Sequence, residues 1–218
     1  MSETFVAVAS VLYTASENQK AFVLNDIRSR IQASVAVKVA ILDDGRLLGQ
    51  IAQLAQTCVN ALRSGGKIVF AGNGGSFADA QHLSAEFTSR FLFDRASLAS
   101  LALGTNNSAM SAIGNDYGYE QVFARELSGI AKTEDVFIPI STSGNSQNIL
   151  AAVAVAKELG VTTVAWTRET GGQLKSMCDC ICVPSPDTAR IQECHILIGH
   201  ILCGLVEKSF FRKKAVHE

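Results

Sequence analysis

Twice along this chain a short β-branched and aromatic run empties into a loop of glycine or hydroxyl residues and then into a helical stretch. Lys67-Ile-Val-Phe-Ala71 leads into Gly72-Asn-Gly-Gly-Ser76 and a helix from Ala78 to about Arg90. Val136-Phe-Ile-Pro-Ile140 leads into Ser141-Thr-Ser-Gly-Asn-Ser146 and a helix from Ile149 to Leu159. Leu98 to Leu103, Val161 to Thr167 and Ile181-Cys-Val183 supply three more short strands. Gly171-Gly172 opens a short helix, and Arg190 to about Phe211 forms a long apolar one. Strands alternating with helices predict an α/β fold: a doubly wound, five-stranded parallel sheet with helices on both faces, in three layers. Right-handed crossovers put every loop that follows a strand on one edge of that sheet, where ligands of such folds bind.

The first 65 residues read differently. They contain no proline and little strand signal, and Ile51, Leu54, Ala55, Cys58, Val59 and Leu62 recur at helical spacing until Gly65-Gly66 stops them. An earlier helix runs from about Ser16 into the low forties, broken at Asp43-Asp44-Gly45. Residues 1–65 therefore form an N-terminal helical arm that packs on the domain and on other subunits, and residues 66–218 form the α/β domain. A mean hydropathy of +0.22 with 18% charged residues adds to the expectation of burial between subunits.

The formal net charge of -1 attracts neither nucleic acid nor an anionic membrane surface. Arg212, Lys213 and Lys214 form the only basic cluster, which a solvated tail explains. The stretches Phe5 to Tyr13 and Ser34 to Leu42 fall short of the roughly 20 apolar residues of a spanning helix. Glu3, with no Lys or Arg, precedes the first stretch, which argues against a signal peptide. The expected compartment is the cytoplasm. The six cysteines include Cys178, Cys180 and Cys182, which alternate and so share one face of a strand; no CxxC pair occurs. Buried, reduced thiols are the plain reading.

The two loops have the chemistry of anion cradles. Glycines allow close approach of a ligand to the backbone, and free amides at a helix start favour an anion. Ser141, Thr142, Ser143 and Ser146 add hydroxyl donors. A dinucleotide fingerprint would need a third glycine where Phe77 stands, and no Gly-Lys-Ser/Thr motif for a nucleoside triphosphate exists. Two such loops on one edge suit a sugar phosphate, although glycine and serine also serve simply to make turns.

Beyond the first loop, His82 and Glu86 stack at i and i+4 on one helix face. Such a pair can share a divalent ion, act as acid and base, or do no more than support a surface helix. On the C-terminal helix Gln192, His195 and His200 stand among Ile191, Ile196, Leu197, Ile198, Ile201 and Leu202, where buried polar groups need partners. For a lone histidine there, a satisfied core role is the plainer reading. Gln192 and His200 are separated by about 12 Å of rise and about 80° of rotation on a straight helix. Holding one ion from both requires long reach, bending or a second subunit.

Taken together, Ala71-Gly-Asn-Gly-Gly-Ser-Phe-Ala-Asp-Ala-Gln-His82, Gly114-Asn-Asp-Tyr-Gly118, Ser141-Thr-Ser-Gly-Asn-Ser146 and Arg190-Ile-Gln-Glu-Cys-His-Ile-Leu-Ile-Gly-His200 resemble the phosphoheptose isomerases of the sugar-isomerase (SIS) fold family, whose sheet is flavodoxin-like. The likeness runs from about Gln50 to Phe211, with the segments in order. It implies conversion of sedoheptulose 7-phosphate to D-glycero-D-manno-heptose 7-phosphate, opening bacterial routes to activated heptose for lipopolysaccharide or capsule. It also implies a homotetramer with active sites between subunits, one zinc ion per subunit and no nucleotide cofactor. By this resemblance His82, Glu86, Gln192 and His200 hold the metal, with Glu86 the base and His200 the acid. Asn73, Gly74, Gly75, Glu86, Arg90, Asn115, Asp116, Ser141, Thr142, Ser143, Ser146 and Gln192 meet the substrate.

The chain departs from the family pattern at Phe77, a bulky residue expected to narrow the pocket. It also departs at Ala189, where some members carry an acid; nearby Asp187 has no assigned role. A fold relative that is no enzyme, and instead binds the bacterial replication initiator as a tetramer, is the rival reading. Another is a SIS isomerase for a different sugar phosphate, such as a hexulose.

Overall fold

The computed structural model describes residues 17–212. Two helices come first, α1 (Glu17–Asp43) and α2 (Gly45–Arg63). Asp44 alone separates them; its extended backbone ends α1, and its side chain accepts the amide of Leu47 at 3.0 Å to cap α2. On α2 the residues at helical spacing, Leu47, Ile51, Leu54, Ala55, Cys58, Val59 and Leu62, are all buried. They join strands β1 and β3 and the C-terminal helix in one apolar cluster. Of α1 only Ile41 is buried, with Val37 packed partly against the cluster, whereas Phe22, Leu24, Ile27, Ile31, Val35 and Val39 are exposed.

The sheet follows as β1 (Ile68–Gly72), β2 (Ser100–Ala102), β3 (Val136–Ile140), β4 (Thr162–Arg168) and β5 (Asp179–Val183). All pairings are parallel and the spatial order is β2-β1-β3-β4-β5. The expected five-stranded, doubly wound sheet is what forms. The chain reverses its winding between β1 and β3, and a crevice opens at such a switch point beyond the carboxyl ends of the strands. Near-continuous apolar sequence in β1 and β3 fits strands covered on both faces: every residue of both is buried. Asp135, itself buried, accepts the amides of Lys67 and Lys132, each at 2.8 Å, and the Lys67 ammonium, fastening the starts of β1 and β3 together.

Pro139 lies in the central strand β3, a place proline seldom occupies because it lacks an amide proton. The amides of Val136 and Ser141 donate to Lys67 on the β1 side and Trp166 on the β4 side, respectively. By alternation position 139 faces β4. The register toward β1 runs unbroken through Pro139, whereas toward β4 it passes from Phe137↔Thr163 to Ile140↔Trp166. One rung of the β3–β4 ladder is therefore absent.

The remaining helices are α3 (Gly75–Thr88), α4 (Asn107–Tyr117), α5 (Val122–Ile130), α6 (Gln147–Glu158) and α7 (Thr188–Phe211), with short 3₁₀ turns at Tyr119–Gln121 and Gly172–Ser176. Three differences from the sequence reading have physical reasons. Helix α3 begins inside the glycine loop at Gly75, because Gly74, with φ +55°, turns the chain directly into it. The segment between β2 and β3, unassigned from sequence, holds α4 and α5. No residue of α4 is fully buried, and Met110 and Ile113 alone pack partly against the core, too short a stripe to mark a helix. Asp187 is the N-cap of α7, its carboxylate accepting the amide of Ala189 at 2.8 Å.

Among the described residues α7 has the length and apolar composition of a membrane span, with a window of mean hydropathy 1.3. Its Ile191, Cys194, Ile198, Leu202 and Val206 lie instead in the core cluster with α2 and the sheet, as in the core helix of a folded domain. The stretch Phe5 to Tyr13, Lys213 and Lys214 lie outside the described residues.

Cys58, Cys194 and Cys203 are buried, but Cys180 and Cys182 on the edge strand β5, and Cys178 just before it, are only half-buried, a correction to the all-buried reading. A hydrogen bond from the Cys180 thiol, aided by Lys175 and Arg46 against the opposing effect of partial burial, brings the Cys182 thiol down to about 7. Iodoacetamide at pH 7.5 should therefore label Cys182 well before Cys58 or Cys203, which burial holds protonated. Peptide mapping at short labelling times checks this order.

His195 is wholly buried, as a core role expects, but it is only half satisfied: its Nε2 approaches the Thr167 carbonyl at 3.4 Å while its Nδ1 has no hydrogen-bond partner. Burial lowers its pKa to about 4, the Thr167 contact offsetting part of the effect. The unfolded chain takes up a proton near pH 6.5, while the native ring stays neutral down to about 4. Stability should thus fall as pH drops through that window, by about 3 kcal/mol in all. Urea unfolding at pH 7.5 and 4.5 measures the loss, and His195→Gln should remove this portion of it.

Candidate active site

The register sets the two loops side by side: Gly72, the last residue of β1, pairs with Ile140, the last of β3. Their side chains are then cross-linked. Asn73 and Asn148 exchange two amide hydrogen bonds of 2.8 and 2.9 Å, and the Tyr119 hydroxyl donates to Asn73 Oδ1 at 3.2 Å. Asn148, buried on α6, and Tyr119 were not singled out from sequence; only the spacing of Asn148 just beyond the serine loop hinted at a role.

In the serine loop Ser141 is buried, and its Oγ stands 3.1 Å from Ser146 Oγ and 3.5 Å from Ser143 Oγ. The amides of Gly144 and Asn145 donate to the hydroxyls of Ser141 and Ser143 at 3.2 and 3.1 Å. Three hydroxyls thus gather over the start of α6, with Thr142 half-buried beside them. This is a set of donors suited to a tetrahedral oxyanion at a helix N-terminus.

Helices α3 and α7 meet without an intervening layer. A Cβ on Gly199 would lie 2.5 Å from Leu83 Cδ2, so any side chain there would have to displace the buried Leu83. This contact brings the next residue, His200, to the residue before Leu83, His82: their Nε2 atoms are 3.0 Å apart. Glu86 Oε1 lies 3.2 Å from His82 Nε2, and ligand atoms of all three residues fall within 4.8 Å of one another. Two imidazole nitrogens approach so closely when one carries a proton toward the other or when both lone pairs face a shared cation. Ligand atoms around a tetrahedral zinc, bonded at about 2.0–2.2 Å, are about 3.3–3.5 Å apart, so this donor set fits that ion with a fourth position open. Asp79, one turn before His82, is a further carboxylate at this face. Burial raises its pKa above the ordinary range, against the lowering effect of His82 and His200.

The remaining residues of the sequence reading fall into three places. Gln192 Nε2 lies 2.8 Å from where a Cβ on Gly75 would sit. Gly75 precedes His82 by about 10 Å of helix rise, so within one chain Gln192 stands at the glycine loop, and three of the four expected metal ligands come together without it. Gly74 and Gly75 are exposed at the mouth of that loop. Asn115 and Asp116 are exposed on the last turn of α4, the Asn115 amide donating to Asp116 at 2.8 Å, just before the corner that carries Tyr119. Arg90 is exposed past the end of α3. Phe77 is half-buried, its ring edge 3.1 Å from where a Cβ on Gly104 would lie, so it packs toward the loop after β2.

Paired phosphate-type loops at the switch point of a parallel sheet, with a His-Glu-His group on the adjoining helices, define a sugar-phosphate isomerase of the SIS class. Residues 37–168 match the family model described as SIS domain. A phosphoheptose isomerase of Aneurinibacillus thermoaerophilus is 54% identical over 195 residues, covering 88% of this chain and 98% of the relative. The structure of a phosphoheptose isomerase from Neisseria gonorrhoeae superposes with a TM-score of 0.80 at 38% identity, covering 85% of this chain and 99% of that one. One from Francisella tularensis gives the same TM-score at 35% identity, covering 85% and 98%. The chain belongs to the phosphoheptose isomerase family of SIS-domain enzymes.

If the trio binds metal, His200→Ala and His82→Ala should each weaken zinc binding by more than the roughly 10–100-fold that loss of an outer partner costs. His195→Gln should leave it unchanged. Competition titration against a chelator reads the difference, and wild-type affinity in both alanine variants would exclude the trio as the site.

Proposed function

We propose that this enzyme interconverts sedoheptulose 7-phosphate and D-glycero-D-manno-heptose 7-phosphate through an enediol, in the cytoplasm, as the first step toward a nucleotide-activated heptose. The names of its relatives support the substrate class. The observation that carries the chemistry is the convergence of Glu86, His82 and His200 on one point, about 10 Å along α3 from the glycine loop. An extended seven-carbon chain with its phosphate among the Ser141–Ser146 hydroxyls and the loop amides would span that distance. Its carbonyl end would then lie at the trio.

Ketose–aldose exchange needs a proton moved between neighbouring carbons and another moved on and off the adjacent oxygens. Glu86 serves the carbons. Its Oε1 faces His82 at 3.2 Å, which leaves Oε2 to take a proton from one carbon and return it to the next. This division lets one carboxylate act as both ligand and base. His200 serves the oxygens: with Nε2 turned toward His82 and the metal position, its Nδ1–H is left to donate to the one that becomes a hydroxyl. A zinc ion bound by His82, Glu86 and His200 would supply electrostatic stabilisation of the enediolate. Asn73, held by Asn148 and Tyr119, together with Gly74, Gly75, Gln192, Asn115, Asp116 and Arg90, completes the proposed contacts to the sugar.

A homotetramer with sites between subunits accords with the exposed apolar face of α1, from Phe22 to Val39, whereas α2 packs into the core of the domain with β1, β3 and α7. It also gives Gln192 a route to the metal of a neighbouring subunit. The replication-initiator reading is not favoured, because the relatives matched over nearly their whole length are isomerases.

Incubation with sedoheptulose 7-phosphate should yield the aldose, and a chelator should suppress the yield. Glu86→Gln should lower turnover by about 10²–10⁴-fold with the oligomer intact by light scattering. Full activity in that variant would remove Glu86 as the base. Faster turnover of a hexulose phosphate than of the heptulose would assign a different substrate.

A further inference from the structure

The most deeply buried ion pair among the described residues lies away from the proposed reacting atoms. Arg95, between α3 and β2, and Glu207, near the end of α7, are 2% and 0% exposed, with Nε and Oε1 2.8 Å apart. Buried pairs of this kind seldom add stability over an apolar substitute, because desolvation consumes the attraction. What this one does add is connection. Arg95 Nη2 donates to the Glu86 carbonyl at 2.8 Å, and Nη1 to the carbonyls of Phe87 at 2.6 Å and Ser89 at 3.0 Å. Carbonyls in the last turn of a helix have no partner of their own, so the guanidinium closes the end of α3 just where Glu86 stands. Glu207 in turn accepts the amides of Phe91 at 2.9 Å and Leu92 at 2.7 Å. That fixes the backbone from which the Phe91 ring stacks on His200, with centroids 5.6 Å apart and planes 19° from parallel.

Two of the three trio members are thereby tied to one bracket: Glu86 through its carbonyl, and His200 through the ring laid on it. We infer that Arg95 and Glu207, acting through Phe91, are positioning residues that hold the Glu86 carboxylate and the His200 imidazole at the spacing that metal binding and proton transfer require. This rests on the reading of the trio given above. The bracket touches no reacting atom, so its effect is on geometry. An imidazole without its stacking partner samples other orientations, and a carboxylate on an uncapped last turn frays with the helix.

The test pairs Phe91→Leu, which keeps apolar bulk but removes the stack, with Phe91→Tyr, which keeps the stack. Arg95→Lys and Glu207→Gln address the pair itself. Cobalt(II) affinity of the metal-free protein, thermal midpoint and steady-state kinetics on the sugar phosphate are measured for each. Phe91→Leu should bind cobalt about tenfold more weakly and lose about tenfold in kcat, with KM within about twofold and a nearly unchanged midpoint. Phe91→Tyr should restore both. Arg95→Lys and Glu207→Gln should move metal affinity and kcat the same way and also lower the midpoint.

A fall in midpoint alone, with cobalt affinity and kcat of the folded protein at wild-type values, would show that the bracket is only structural and overturn the proposal. Should the charge variants fail to fold, the Phe91 pair still decides it. Wild-type protein that neither binds cobalt stoichiometrically nor turns over substrate would instead defeat the reading of the trio itself, and this proposal with it.

Discussion

Everything proposed for this site depends on how closely α3 and α7 approach at Leu83 and Gly199. Without a side chain on Gly199 the two helices touch backbone to side chain, and the residues on either side of that contact, His82 and His200, meet through their Nε2 atoms with the rings tilted by 56°. Any larger residue at 199 would have to displace the fully buried Leu83, and so disturb the neighbouring His82 and His200. A packing constraint in the core thus sets a chemical distance at the surface. The same contact orders the site along α3: anion-binding loop at its first turn, His82 at its third and Glu86 at its last. The register of β1 with β3 then adds the serine loop beside the glycine loop.

Charge placement completes what packing begins. The buried Arg95–Glu207 pair secures the end of α3 and the segment that follows it, while Asp135 secures the starts of β1 and β3. Both fastenings lie toward the edge of the sheet away from the loops, one in the helical layer and one in the sheet, and β1 and α3 carry the glycine loop and two of the trio. Rigid elements anchored in this way are the setting in which a few side chains keep catalytic spacing.

Much of this was legible in the chain itself. Five apolar runs, each followed by a turn and most by a helix, led to the sheet, and the i, i+4 spacing of His82 and Glu86 led to one face of α3. The partnership of His200 was not readable from periodicity; it follows from the absence of a side chain on Gly199, a contact between residues more than a hundred positions apart. Arg95 and Glu207 drew no reading at all, because nothing local in sequence reveals that an ion pair is desolvated. Helix α4 escaped notice because none of its residues is fully buried. Asn148 was hidden for the opposite reason: a polar residue in an otherwise apolar helix has no meaning until the loop it binds is in place.

The proline in the central strand bears on how the serine loop behaves. The loop hangs from β3, whose bonds to β1 are continuous while one bond to β4 is absent beside Pro139. Beyond the proline the ladder resumes: the Ser141 amide donates to Trp166, and the amides of Leu174 and Gln173 donate to Gly144 and to Asn145 Oδ1. The gap is therefore one rung wide, and the serine loop past it is pinned on the β4 side by these bonds and on the β1 side by the Asn73–Asn148 pair. A donor set held from both sides arrives already shaped for its anion.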